Sequence, residues 1–474
     1  MSSTTGAGSS ALSGTGRRCR AHTPAAVLAA GTANAYLYAL MTAAAILAVW
    51  IVWYLAHQAW ETFLTLLNLR HSARHPQSPP ELNGVLDQAT VSRSRAYLAA
   101  RSRLNLLSRG LRAAVALVVV ATGALGALDQ WLPHWLQSRG IASPLLAGTL
   151  YVVLLVWASS LLTLGLRVYG QFVIEARFGF NNMTWRTFLL DQVKGALLSL
   201  VLGVPLLLGL FWFMARSGAG WWIYAFCFIA GFQLLVTYLY QPLIAPLFNK
   251  FQSLADGSLQ QRLMALAARL RFRVRSVLVM DGSRRSRHSN AYFAGFGGAK
   301  RIVLFDTLLS TLDEPQVEAV LAHEIGHEKR RHVIKHMSLS LLLTLAGLWL
   351  LSVLLHQPEL FAAFGFHLEG VGRPSSHAAL VILSLLAGPA GAIVQPLVSA
   401  WTRRHEYEAD RYAAQAVGGD EALAGALIAL SRDNLSNPSP HPWYSAYHYS
   451  HPTLVERLRA VRRYASTLAP AARD

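Results

Sequence analysis

Long apolar segments alternate along the chain with polar segments rich in arginine and lysine. A membrane-spanning helix requires about 20 apolar residues. Seven segments reach this length, at residues 35–58, 113–132, 143–166, 195–215, 220–247, 337–356 and 378–401. The second is the weakest, because Asp129 interrupts its end. The pattern therefore predicts a mainly α, polytopic membrane protein with about seven transmembrane helices.

Two polar segments are too long to be simple loops between spans, and the chain begins with a run rich in Ser, Gly and Thr. Such a run is typical of a disordered tail. The predicted parts are a tail at 1–34, five transmembrane helices with cytoplasmic loops at 35–247, a soluble insertion at 248–336, two transmembrane helices at 337–401 and a soluble C-terminal part at 402–474.

The insertion mixes helical and strand-like patterns. Leu259–Leu270 has a helical pattern, whereas Arg273–Met280 and Ile302–Phe305 have the pattern of short strands. One continuous helix is predicted over 314–336, with Asp313 as its cap. We therefore expect a small β-sheet flanked by helices, and a mostly helical C-terminal part.

Composition supports the membrane interpretation. Charged residues make up 14% of the chain and the mean hydropathy is +0.35, whereas soluble proteins carry about 25% charged residues. The net charge of +18 would suit nucleic-acid binding. The basic residues, however, lie between the apolar segments, as in cytoplasmic loops, and no aromatic–basic alternation of a nucleic-acid platform is present. We therefore expect no nucleic-acid partner.

The distribution of charge also predicts an orientation. Positive residues favour the cytoplasmic side, which places the N-terminus outside and both soluble parts inside. The two cysteines, Cys19 in the polar tail and Cys227 in an apolar segment, predict neither a disulfide framework nor a cysteine-ligated metal site.

The motif His-Glu-Ile-Gly-His lies at 323–327, within the predicted helix. An α-helix places residues four apart on one face, so His323 and His327 can offer two imidazole nitrogens to one Zn²⁺. Glu324 would stand beside the open coordination position, where it can take a proton from water. His332 and His336 have the same spacing without an intervening acid, and we interpret them as surface or supporting residues.

A catalytic zinc needs a third protein ligand. Glu406 is the candidate, with Asp410 one helical turn further on. One of the two can bind the metal while the other supports a ligand histidine. Glu408 is a rival for this role but faces another side of the predicted helix.

With these motifs, the chain resembles the integral-membrane zinc metalloproteases typified by CAAX prenyl protease 1. The resemblance covers about 150–465 and rests on EARFGFNNMTWRTFLLDQVKG (175–195), IAPLFNKFQSLADGSL (244–259), MDGSRRSRHSNAYFAGFGGAKRIVLFDTLL (280–309), HEIGH (323–327), EYEAD (406–410) and YSHPTLVERL (449–458). It implies that His323, His327 and Glu406 hold one Zn²⁺, that Glu324 is the general base and acid, and that Asp410 orients a ligand histidine.

The resemblance has further implications for the fold and the substrate site. Seven helices would enclose a chamber within the membrane, and a zincin-like (gluzincin) domain with a small β-sheet would cap it. Asn290 would bind the substrate backbone, while His451 and Arg457 would line the cleft and stabilise the oxyanion.

The substrate class stays open at this level. The predicted function is hydrolysis of peptides or proteins that are lipidated (CAAX-type) or membrane-bound, in contact with membrane lipids. Misfolded membrane proteins are an alternative substrate class, and a non-catalytic scaffold or transporter is an alternative function. High Ala, Arg and Leu usage favours a bacterial inner membrane, with the catalytic domain on the cytoplasmic side.

Overall fold

A computed structural model gives the structure of the chain and describes residues 24–294, 300–366 and 375–468. Residues 1–23 of the predicted tail at 1–34 lie outside the described residues. From Pro24 the chain is helical, so the predicted boundary at 34 is too late. The reason is local: the residues after Pro24 are rich in alanine, which has the highest helix propensity, and proline suits a first helical position.

The described chain is mainly helical. Its α-helices are α1 (Pro24–Arg74), α2 (Gln88–Ala121), α3 (Ala124–Gln137), α4 (Pro144–Leu162), α5 (Leu164–Tyr169), α6 (Trp185–Arg216), α7 (Trp221–Leu239), α8 (Ala245–Phe248), α9 (Ser258–Arg269), α10 (Asp306–Thr311), α11 (Glu314–Lys329), α12 (His332–Leu354), α13 (Pro358–Ala363), α14 (Ser376–Val417), α15 (Glu421–Asp433), α16 (Pro442–His448) and α17 (Leu454–Leu468). Two stretches of π-helix, Gly170–Glu175 and Tyr240–Ile244, extend α5 and α7.

Among the described residues, seven helical segments are long and apolar enough to cross a membrane, which confirms the predicted multi-pass architecture. The second differs in detail from its prediction. The predicted span 113–132 divides at Gly123, whose φ of +67° lies in the left-handed region that glycine tolerates. The membrane-crossing helix is α2, and Asp129 lies in the separate helix α3.

A four-stranded sheet lies in the insertion. Its strands are β1 (Phe251–Ser253), β2 (Ser276–Met280), β3 (Ala291–Ala294) and β4 (Arg301–Phe305), in the order β1-β2-β4-β3. Strands β2 and β4 are parallel, and the outer strands pair antiparallel to them. The expected small sheet is therefore confirmed, and β3 is one of its edges.

The helix predicted over 314–336 is two helices. Helix α11 begins with a capping box between Asp313 and Gln316 and ends at Lys329. Arg331 then adopts a φ of 57°, and α12 starts at His332. This left-handed residue interrupts the helical hydrogen bonding, so the chain changes direction between α11, which carries the HEIGH motif, and the next transmembrane helix.

Helices α11 and α14 pack closely in the core of the soluble part. A Cβ atom added at Gly326 would lie 3.1 Å from Ala409 Cα, so only glycine allows this approach without displacement. Ile325, fully buried, belongs to the same core. Because Gly326 lies within HEIGH and Ala409 within EYEAD, the close contact brings the two motifs together.

Candidate metal centre

Two helices bring three potential metal-binding side chains together. On α11, His323 Nε2 and His327 Nε2 lie 3.1 Å apart. On α14, Glu406 places Oε1 3.3 Å from His327 Nε2 and Oε2 3.6 Å from His323 Nε2. Ligand atoms of all three residues lie within 4.8 Å of one another, and no other set of this kind occurs among the described residues.

The donor set fits a divalent cation. Two ligands of a tetrahedral zinc, each about 2.0–2.1 Å from the ion, lie about 3.3 Å apart, close to the separations seen here. Glu406 Oε2 is buried and has no hydrogen-bond partner. A buried carboxylate oxygen without a partner is costly, and a bound cation would remove that cost. Imidazole and carboxylate are also the ligand types that zinc accepts.

The outer nitrogen of His323 is held by a buried ion pair. His323 Nδ1 lies 2.9 Å from Asp410 Oδ1, and Asp410 is fully buried. Arg457 donates from Nε and Nη2 to the two oxygens of Asp410, at 2.8 and 2.5 Å. Burial alone would lower the pKa of His323, but hydrogen bonds with Asp410 and Glu406 outweigh it and raise that pKa to about 9. A metal ion bound at Nε2 of His323 would compete with the second proton that the raised pKa favours on the ring.

Glu324 follows His323 on α11 and is partly buried. Burial raises the pKa of Glu324 above its usual range, against the opposing influence of His323 and His327. A carboxylate with a raised pKa accepts and returns a proton more readily near neutral pH. The position therefore suits a general base that later acts as an acid.

His451 and Arg457 reach the site from the loop before α17 and from α17 itself. His451 Nε2 lies 3.4 Å from Glu406 Oε1, and 62% of the His451 side chain is exposed. Partial loss of hydration beside the site lowers the pKa of His451, which favours the neutral ring. Arg457 Nη1 lies 3.9 Å from Glu406 Oε2. Since Arg457 also bonds Asp410, His451 is the more accessible hydrogen-bond donor of the two.

Asn290 precedes the edge strand by one residue. Its backbone oxygen accepts from Phe305 N at 3.1 Å, and its side-chain Oδ1 accepts from Ala291 N at 2.9 Å. The strand that follows can offer its open edge to an extended peptide. The structure thus places Asn290 at the start of β3 rather than within it.

Other residues around the centre were not identified from the sequence. A cavity of 590 Å³ is lined by His451 and Arg457 together with Asn434, Asn437 and Tyr449. Asn434 and Asn437 follow α15 outside every motif, so no periodic signal marks them, whereas Tyr449 begins the YSHPTLVERL motif but had no role assigned. His332, interpreted as surface or supporting, is not at the surface: it is only 1% exposed.

The centre has the parts that hydrolysis by water requires: a set of potential metal ligands, a neighbouring acid and an accessible hydrogen-bond donor. The polypeptide around it crosses a membrane several times. The class of protein so defined is the membrane-embedded metalloprotease.

Comparisons with known proteins agree with this class. Residues 68–250 match the family model described as CAAX prenyl protease N-terminal, five membrane helices, and residues 253–465 match peptidase family M48. The chain belongs to peptidase family M48. The match begins well before residue 150, so the resemblance extends further towards the N-terminus than expected.

Individual relatives cover nearly the same length. The chain is 34% identical over 413 residues to CAAX prenyl protease 1 homolog of Arabidopsis thaliana, covering 85% of this chain and 94% of that protein. It is 33% identical over 428 residues to CAAX prenyl protease 1 of Saccharomyces cerevisiae, covering 86% and 93%. The crystal structure of S. mikatae Ste24p matches with a TM-score of 0.82 and 31% identity, covering 88% of this chain and 99% of that one.

Proposed function

We propose that this protein is a zinc endopeptidase that cleaves lipidated, CAAX-type peptides at a membrane. One observation carries the metal assignment: Glu406 Oε2 is buried without a partner beside the paired Nε2 atoms of His323 and His327. These three residues hold one Zn²⁺ in the proposal. Zinc is chosen over other divalent metals because a two-histidine, one-carboxylate set with an open fourth position is its common catalytic site.

The residues of the chain have distinct roles in the proposed reaction. Zn²⁺, when bound, supplies the Lewis-acid chemistry that makes water a nucleophile at neutral pH. Glu324 accepts a proton from the attacking water as the carbon–oxygen bond forms, and passes it to the departing amine as the carbon–nitrogen bond breaks. His451 donates a hydrogen bond to the carbonyl oxygen as negative charge develops there.

Two further parts of the site act through position. Asp410, fixed by Arg457, holds the ring of His323, and Arg457 adds positive charge near the developing oxyanion. At the other side, the residues from Asn290 onward offer an edge on which a substrate peptide adds as an extended strand.

The substrate class rests on the membrane setting and on the relatives. In each membrane span at most 33% of the most apolar window is buried within the protein. Most apolar side chains of the spans therefore face lipid or an enclosed space between helices, and either one suits a lipid-bearing substrate. Two matched relatives are named CAAX prenyl protease 1 homolog and CAAX prenyl protease 1, which favours a CAAX-type substrate for this chain.

For the division of the chain we keep the predicted parts, except that the first helix begins at Pro24, with catalytic pieces at 248–336 and 402–474. The boundary between the two matched family models, at 250 and 253, supports the first of these divisions. We also propose a bacterial inner membrane, on the basis of the high Ala, Arg and Leu usage. The arginine-rich segments beside the spans support a cytoplasmic position for the catalytic pieces. The relatives described above are eukaryotic.

The test is peptide hydrolysis by the purified, full-length protein in detergent. A farnesylated CAAX peptide is compared with the same peptide without its lipid. Glu324→Gln is expected to retain zinc and lose turnover, because the amide cannot accept the proton. Glu328→Gln is the matched control: Glu328 lies one turn further along α11 and pairs with Lys300 instead.

The outcomes separate the candidate functions. Cleavage of the lipidated peptide alone, lost in Glu324→Gln and kept in Glu328→Gln, supports the proposal. Cleavage of both peptides would favour a protease of misfolded membrane proteins. A protein that binds zinc but cuts neither peptide contradicts the substrate assignment, and one that binds no zinc would favour the scaffold or transporter.

A further inference from the structure

The two proposed histidine ligands have different partners at their outer nitrogens. His323 Nδ1 meets the carboxylate of Asp410, as described above. His327 Nδ1 instead lies 3.0 Å from Nδ1 of His332, the first residue of α12. His332 in turn places Nε2 3.2 Å from Glu408 Oε2. A buried histidine therefore stands between the second ligand and its carboxylate.

The proton positions in this row follow from the chemistry of the ligand. A histidine that binds a metal through Nε2 is neutral and carries its proton on Nδ1. His327 Nδ1 must then donate, so His332 Nδ1 must accept. An imidazole that accepts at Nδ1 carries its own proton on Nε2, and Glu408 accepts that proton. Only one arrangement of protons satisfies all three groups.

The ring of His332 is also fixed in place. It is 1% exposed, and it stacks on His405 with ring centroids 4.0 Å apart and planes 11° apart. His405 precedes the proposed ligand Glu406 on α14, so α12 and α14 hold the ring from two sides. His336, one turn further along α12, bonds His405 Nδ1 at 3.2 Å and does not touch His327.

We propose that His332 is a positioning residue, which holds the ligand His327 in its orientation and in the Nδ1–H form through a relay to Glu408. This inference rests on the proposed function only through the metal site. Such outer partners typically change metal affinity about 10–100-fold when they are lost. The bend at Arg331 serves this relay, because it turns the first residue of α12 back towards α11.

The test measures zinc affinity of the purified full chain by competition with a chelator, and the visible spectrum of the Co²⁺-substituted protein. His332→Phe, which keeps a ring and loses the acceptor, is expected to bind zinc about 10–100-fold more weakly and to alter the Co²⁺ bands. His332→Asn places an amide oxygen near the position of Nδ1 and is expected to restore most of the affinity. His336→Phe is the control on the same helix, with expected wild-type affinity.

A second pair of variants tests the carboxylate. Glu408→Gln keeps an acceptor for His332 Nε2–H and is expected to bind zinc nearly as tightly as wild type, whereas Glu408→Leu is expected to bind it more weakly. Wild-type affinity and spectrum in His332→Phe would overturn the proposal. So would equal weakening in His332→Phe and His332→Asn, since an acceptor near the position of Nδ1 would then restore no affinity.

The same experiment separates this inference from the substrate assignment. If wild type binds one zinc and cuts no lipidated peptide, the proposed function fails while the affinities still decide the role of His332. If wild type binds no zinc, both proposals fail.

Discussion

Towards each end, helix α14 contributes one member of a histidine–carboxylate pair, and the two pairs have different surroundings. At the catalytic end, Asp410 of α14 meets His323, and Arg457 binds both oxygens of the same carboxylate. The free nitrogen of His323, Nε2, then faces His327 and Glu406. This pair is one part of a larger charged set.

At the opposite end, His377 of α14 places Nε2 2.5 Å from Asp129 Oδ1 of α3. Asp129 is 5% exposed, and the ring of His377 packs against Tyr151 with centroids 4.7 Å apart and the ring planes tilted by 47°. Within the described part of the chain, no third metal-ligating side chain joins this pair in a set of three.

The comparison distinguishes a buried contact between two helices from a pair that adjoins the candidate metal centre. Each pair joins α14 to a neighbouring helix, and within each pair the histidine and the carboxylate are hydrogen-bonded to each other. At the catalytic end, the cation of Arg457 fixes Asp410 as an anion, and the histidine keeps a second nitrogen for another partner. At the opposite end no such cation contacts the carboxylate among the described residues, so the pair serves to fasten α3 to α14.

The largest expected effect comes from Asp410→Ala. This change removes the carboxylate that accepts two hydrogen bonds from Arg457, whose side chain is 13% exposed, and leaves only Glu406, at 3.9 Å, as an ion-pair partner among the described residues. Breaking a buried pair in this way lowers the free energy of unfolding by about 3–5 kcal/mol. Zinc affinity should fall as well, because His323 loses the group that orients its ring. Thermal unfolding in detergent and zinc content of the purified protein measure the two losses. A variant with normal zinc content would contradict the orienting role.

Asp129→Ala is the counterpart at the other end and has a smaller expected effect. It leaves the ring of His377 without its partner, which costs about 1–3 kcal/mol of unfolding free energy. Zinc content and the KM for peptide should stay at wild-type values, because the pair lies at the opposite end of α14 from the centre. Loss of zinc from this variant, measured alongside Asp410→Ala, would show that the two ends are coupled and would break the comparison.

The features that could be predicted from the sequence are those that depend on residues close together along the chain. His323 and His327 lie four residues apart, as do Glu406 and Asp410, and helical geometry alone places each pair on one face. The seven apolar segments follow from their length and composition in the same way. These features need no knowledge of which helices pack together.

The remainder depends on long-range packing. Asp129 and His377 are 248 positions apart, and in the sequence Asp129 only interrupts an apolar segment. Arg331 adopts a left-handed backbone conformation that usually occurs at glycine or asparagine, so its residue type gave no indication of the break before α12. Since that break determines where His332 lies, its burial and its contact with His327 could not be predicted either.

A third pair, His288 with Glu175, is partly exposed to solvent and extends the comparison to a less buried site. Of the predicted effects on stability, its effect is the smallest. His288 Nε2 lies 3.4 Å from Glu175 Oε2, and its Nδ1 lies 2.9 Å from Asn434 Oδ1. The pair joins the π-helical stretch after α5 to the segment that leads into β3. Because 38% of the His288 side chain is exposed, this pair can exchange protons with solvent in the folded state.

The stability contributed by this pair should therefore depend on pH. The hydrogen bond with Glu175 raises the pKa of His288 above its ordinary 6.5. Burial would raise the pKa of Glu175, but hydrogen bonds from His288 and Tyr97 and the charge of Arg101 outweigh it and lower that pKa below 4.5. The stabilisation is fully present between about 4.5 and 6.5. It is lost as pH rises through the raised pKa of His288, or falls through the lowered pKa of Glu175.

Thermal unfolding between pH 6 and 9 measures the alkaline side of this dependence. The midpoint of wild type is expected to fall by a few degrees or less as His288 loses its proton, since a partly exposed pair contributes little. His288→Gln can still donate to Glu175 but does not titrate, so its midpoint should change less over the same range. Equal slopes in the two proteins would show that the pair contributes no pH-dependent stability. In that case its role would match the fastening role of Asp129 and His377, and solvent access would not distinguish the pairs.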